Sequence, residues 1–150
     1  MATWAELDAA EPEIAEAGRR LLFHPGVGFG YLATVRADGS PQVHPVMPLI
    51  AKGRLEVFVV PSPKLDDLRR DGRYALHSSQ TADVDDEFCV EGRTEVVEGA
   101  ERRAAALAAH PASVGDDHVL VELGIDRALW AHYSKPPSWP PAYRSWRARA

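Results

Sequence analysis

Phe29-Gly30-Tyr31-Leu32-Ala33-Thr34-Val35-Arg36-Ala37-Asp38-Gly39-Ser40-Pro41-Gln42-Val43-His44-Pro45-Val46 decides the fold. Asp38-Gly39 sits between two short apolar runs, a strong local signal for a β-hairpin turn. On the first run Tyr31, Ala33 and Val35 share one face, and Leu32, Thr34 and Arg36 the other. Both faces are mostly apolar, as in a sheet covered on both sides. Arg36 breaks the pattern at the strand's end, either as a solvated charge or as a charge at a ligand pocket. The second run carries prolines at 41, 45 and 48, so its strand is irregular or lies at a sheet edge. Backbone groups left free there could meet the polar edge of a flat heterocycle.

Downstream, Lys52-Gly53 turns the chain into a strand over 55–60 that is apolar apart from Glu56 and should be central. Pro61-Ser62-Pro63-Lys64 then opens a short helix. A lysine opposes the helix dipole there, and a bound phosphate would resolve the conflict. The spacing predicts a strand over 72–78, a polar, solvated acidic turn at 81–86, and a strand over 87–97 bent at Gly92. A helix over 101–110 and a strand region over 116–130, broken at Gly124-Ile125-Asp126, follow. Upstream, Thr3-Trp4-Ala5-Glu6 has the form of a capping box. Pro12 starts a second helix, which His24-Pro25-Gly26 stops. The sequence reads as mainly β with flanking helices. We expect one domain over 1–150, with a helical segment at 1–27 and an aromatic, basic tail at 131–150.

Composition narrows the function. Apolar residues make up 45% and charged residues 26%, ordinary for a globular chain. The net charge of −5 argues against sequence-independent nucleic-acid binding, despite the basic tail. The one cysteine, Cys89, excludes an internal disulfide framework and reads as a strand-borne structural thiol. Neither a signal-peptide pattern nor an apolar run of membrane length is present, which suggests a cytoplasmic protein. The acidic turn lacks the glycine and distal glutamate of a calcium loop, and no zinc, nucleophile-elbow or catalytic-triad motif occurs.

Leu32-Ala33-Thr34-Val35-Arg36-Ala37-Asp38-Gly39-Ser40-Pro41, Val43-His44-Pro45-Val46 and Ser62-Pro63-Lys64 running into Leu68-Arg69-Arg70-Asp71 resemble the pyridoxamine 5′-phosphate oxidase-like, FMN-binding split-barrel family. The resemblance covers about Gly28 to Leu76. It implies a split β-barrel of about six antiparallel strands and a homodimer with flavin at the subunit interface. It also implies an oxidoreductase acting on a small molecule, in which the flavin supplies hydride and electron transfer. By that resemblance Val46 and Met47 would lie along the ring, and Ser62 and Lys64 would contact the phosphate. Arg36, His77 and Ser79 are further candidates for the pocket, and Trp139 and Trp146 of the tail for its completion from a partner. A deazaflavin coenzyme is an alternative to FMN. Haem-handling relatives make a non-catalytic binding protein the other alternative, with His77, His118 and His132 as possible ligands.

Overall fold

The computed structural model describes residues 1–24, 26–136 and 139–149. Two helices come first, α1 (Trp4–Ala10) and α2 (Pro12–Leu22). Strands β1 (Gly30–Val35), β2 (Pro41–Val46), β3 (Pro48–Ala51) and β4 (Arg54–Val59) follow, then α3 (Pro63–Arg70), β5 (Arg73–Ser78) and β6 (Glu87–Val96). Helix α4 (Ala100–Ala109) leads to the long β7 (Val119–His132), and β8 (Ala142–Arg147) ends the chain. All strand pairings are antiparallel, and the sheet runs β2-β1-β5-β6-β7-β4-β3 with β8 added on β7. The fold is mainly β, a curled sheet consistent with a split barrel, flanked by four helices among the described residues.

The local signals explain these elements. Asp38 accepts hydrogen bonds from the Ser40 amide at 2.9 Å and its hydroxyl at 2.6 Å, and Gly39 takes φ +84°, so the β1–β2 turn closes. Thr3 caps α1 and Glu6 returns to the Thr3 amide, completing the capping box. β2 lies at an edge of the sheet, as its prolines require. β4 is interior, between β3 and β7. α2 ends at Leu22; Pro25, part of its expected stop, lies outside the described residues.

Two details differ from expectation. Among the described residues the sheet has eight strands where about six were expected. The extra ones are β3, a four-residue strand separated from β2 by Met47 alone, and β8, formed by the tail. β7 runs unbroken through Gly124, with β6 on one edge and β4, an isolated bridge to Ala2 and then β8 on the other. The irregularity expected at Gly124-Ile125-Asp126 is a bulge: Glu91 faces Arg127 and Gly92 faces Ile125, so Asp126 is the extra residue. A Cβ on Gly92 would lie 1.9 Å from the Gly124 carbonyl oxygen, so glycine permits the strands to approach. Finally, the acidic turn is not wholly solvated. Asp86 is buried and accepts from Arg20 at 3.1 Å, the Trp130 indole at 3.1 Å, His132 at 2.9 Å and the Tyr133 amide at 3.0 Å. Sequence spacing gave no sign of this, because the partners lie on α2 and the far end of β7.

The main core joins α1 and α2 (Trp4, Leu7, Ile14, Leu21, Leu22) to the inner sheet face (Leu32, Leu55, Val57, Leu76, Phe88, Val90, Val121, Leu123). Each such side chain, fully buried, stabilises the fold by roughly 1.5–3 kcal/mol. A smaller cluster of Leu49, Ala51, Ala106 and Leu120 seats α4 on β3 and β7.

Candidate functional site

The two ends of the sheet, β2 and β3, are adjacent in sequence and joined at Met47. Beside that joint lies a cleft of about 320 Å3, lined by Phe29, Pro45, Val46, Met47, Phe58, Lys64 and the loop 110–118. The volume falls at the small end of the ~300–1,000 Å3 usual for ligand pockets. Its lining is largely apolar with Lys64, His110, His118 and Ser113 as polar groups, and contains no carboxylate.

Each wall has a local cause. Gly28 sets the approach to Phe29: a Cβ there would lie 1.7 Å from the Pro48 carbonyl oxygen. Helix α3 buries Leu65 and Leu68, and Arg70 of its last turn donates to the Val35 carbonyl at 2.6 Å and to Asp67 at 2.9 Å. That fixes Lys64 at the cleft. Lys64 is half-buried and has no ion-pair partner among the described residues. Burial pulls its ammonium below the usual lysine range. Nearby, His44 is held below the usual imidazole value, first by burial and then by the cations Lys64 and Arg36.

Val46, Met47 and Lys64 come together in the cleft. Ser62 is the N-cap residue of α3, but its hydroxyl donates to the Val60 carbonyl at 2.9 Å and makes no capping bond. Arg36 is exposed on the hairpin, bonded to Gln42, Ser40 and the Pro41 carbonyl. His77 lies on the outward sheet face, across from Tyr31 on one side and Cys89 on the other. Ser79 is half-buried just beyond β5, while the neighbouring Ser78 is buried and accepts from the Phe88 amide at 3.0 Å. Trp146 packs against the core from β8, and Trp139 is 80% exposed. Of the three histidines named for haem, His118 lines the cleft, His77 does not, and His132 joins Asp86. Cys89 is half-buried, its thiol pushed up to about 11 by burial. Phe29, Phe58, His110 and Ser113 were not singled out from sequence. The interior placement expected of β4 could have flagged Phe58; His110 and Ser113 lie beyond the motif-bearing stretch.

A second cleft, of about 600 Å3, opens around the Asp86 cluster, with Arg20, His24, Asp83, His132 and Lys135 on its walls. Its charges are largely paired internally, His24 with Asp83 and Arg20 and His132 with Asp86. Among the described residues no group of acids, histidines or cysteine is placed to hold a metal ion.

No family model and no curated protein matches the chain. Solved structures do. A haem-binding protein from Mycobacterium smegmatis superposes with TM-score 0.69 at 22% identity, over 91% of this chain and 59% of that one. A NimC/NimA family protein from Clostridium acetobutylicum gives TM-score 0.64 at 18% identity, over 87% and 94%. General Stress Protein 26 from Bacillus anthracis gives 0.63 at 19% identity, over 89% and 97%. The chain thus spans about three-fifths of the mycobacterial protein and nearly all of the other two. At these identities the likeness is one of fold, and that fold is the split barrel which the stretch from Gly28 to Leu76 resembles.

Proposed function

We propose that the chain is a flavin-dependent oxidoreductase that binds FMN at the cleft, with the phosphate at Lys64 and the ring along Val46 and Met47. One observation carries this reading: a half-buried ammonium without a counter-ion stands at an apolar cleft that has no carboxylate. A partly desolvated cation of this kind favours an anionic group, and an apolar plate suits the rest of the lining. The substrate is a small molecule. A deazaflavin coenzyme would use the same anchor.

The cleft is small for a whole flavin, and we propose that a second copy of the chain completes it in a homodimer. The outward sheet face supports this, with Tyr31 at 44% and Val43 at 62% exposure, and His77 and Cys89 in the same surface. His77, Ser79, Trp139 and Trp146 would serve such a shared site. We propose a single domain working in the cytoplasm; no helix among the described residues is long and apolar enough to cross a membrane.

A second reading, a non-catalytic haem-binding protein, is favoured by His110 and His118, which share the cleft with Lys64. A porphyrin is also an apolar plate with acidic groups.

Titration of the purified chain with FMN and with haem, followed by absorption, separates the readings. Replacing Lys64 by Ala should weaken FMN binding by ~1.5–3 kcal/mol, about 10- to 150-fold. Unchanged affinity would remove Lys64 from the site. Tight haem binding with a sharp Soret band and no FMN binding would replace the first reading with the second.

A further inference from the structure

His110 and His118 enter the cleft from a loop that is built to hold them. Arg103 of α4 donates to the His118 carbonyl at 2.6 Å and to the Gly115 carbonyl at 3.1 Å, and its guanidinium lies 5.4 Å from the centre of the Phe58 ring. Phe58 in turn meets the His110 ring edge-on at 5.6 Å. The loop is therefore tied to α4 and β4 at several points.

The hydrogen bonds restrict the protons. In His110, Nδ1 lies 3.2 Å from the Ala112 amide, which donates to it, and 3.0 Å from the Ala112 carbonyl. A neutral ring either takes the Ala112 amide at Nδ1 and carries its proton on Nε2, or donates from Nδ1 to the Ala112 carbonyl and leaves Nε2 an acceptor. When the ring is cationic the carbonyl accepts from Nδ1 and Nε2 carries a proton. Nε2 is thus a donor in the cation and in the first neutral form. In His118, Nδ1 lies 3.0 Å from the Asp117 carboxylate, which accepts its proton. Nε2 of His118 then accepts a proton when the ring is neutral and donates when it is charged. Neither Nε2 has a partner among the described residues.

We propose that His110 and His118 form a receptor for an oxygen acid, a carboxylate or phosphate monoester, on the small molecule that enters the cleft. An acid group offers an acceptor oxygen to His110 and an ionisable oxygen to His118, and no carboxylate in the lining opposes it. The assignment deepens the FMN reading, since it names the class of the second reactant, but its chemistry depends only on the loop.

The probes are benzoate and phenyl phosphate, with benzamide as the neutral isostere. Binding is measured by calorimetry on the purified chain, before and after FMN loading. The acids should bind at least about fivefold more tightly than benzamide. Replacing both histidines by Phe keeps ring volume against Phe58 and should erase that preference. Replacing both by Gln restores donors and should recover part of it. Equal binding of benzamide overturns the proposal, as does acid binding that survives the double Phe variant or is lost only in Lys64→Met. Circular dichroism checks folding, and the Gln pair provides the second variant. If FMN fails to bind while acid selectivity persists and follows the histidines, the cofactor reading falls and the acid receptor stands. If FMN binds and selectivity is absent, the reverse holds.

Discussion

Asp86 accepts four hydrogen bonds from two segments of the chain, two of them from groups that are or can be cationic. Burial alone would raise its carboxyl; bonds from His132, Tyr133, Trp130 and Arg20 outweigh that and bring it down to about 2. A carboxyl depressed on folding contributes stability that is present above its unfolded value and lost as pH falls through the folded one. We expect part of the acid sensitivity, on the order of 1–2 kcal/mol, to fall between about pH 4 and pH 2. Asp86→Asn should flatten the stability profile across that window, as read by urea unfolding at a series of pH values. His44 shifts the other way for a base: its folded value is lowered. It therefore favours the folded state above the usual imidazole range and opposes it as pH falls. Phosphate bound at Lys64 would remove one of the cations that repel the His44 proton. FMN loading should move the His44 titration upward by NMR, and an unmoved titration would put the phosphate elsewhere.

At the scale of elements, α4 is held by charge as much as by apolar contact. Glu56 and Glu122 stand directly across from each other on β4 and β7, an arrangement that repels. Arg102 of α4 donates to both, and Arg54 donates to Glu122 at 2.7 Å. Both carboxylates are buried. Removing Arg102 strips the buried Glu56 of its cation and leaves it facing Glu122, so Arg102→Ala should cost about 3–5 kcal/mol in denaturant unfolding. Adding Glu56→Gln to that variant should recover part of the loss. Sequence made the β1–β2 hairpin, the edge position of β2 and the start of α3 legible, because each depends on a turn residue, a missing N–H or a proline in the first helical turn. It did not make β8 or the Asp86 cluster legible. β8 exists because β7 offers it a free edge, and Asp86 draws on residues 44 to 66 positions away. The cleft was half legible: Val46, Met47 and Lys64 lie in one motif-bearing stretch, whereas loop 110–118 is delivered by α4 through contacts that no local pattern records.

Across the whole molecule, an acid-free cleft in a chain of net charge −5 sets a local field against the global one. Salt screens the distant acids and the cleft cations alike. An anionic ligand held by the partly buried Lys64 should lose less affinity with added salt than one steered only by surface charge. FMN dissociation constants at low and at physiological salt would check this, and a steep decline would place the phosphate on an exposed cation.

The prolines of β2 carry one more consequence. Pro41 and Pro45 occupy alternate positions on an edge strand paired along its length with β1. Such prolines fit only where an N–H would point away from the neighbour. They delete two of the three outward donors, leaving that of Val43. The open rim of the sheet is therefore a poor template for a stray strand, and the chain can keep an uncapped edge beside its cleft without recruiting β-structure from other molecules. Restoring the donors with Pro41→Thr and Pro45→Thr should raise the rate of aggregation at unchanged unfolding free energy, as light scattering and urea titration together would report.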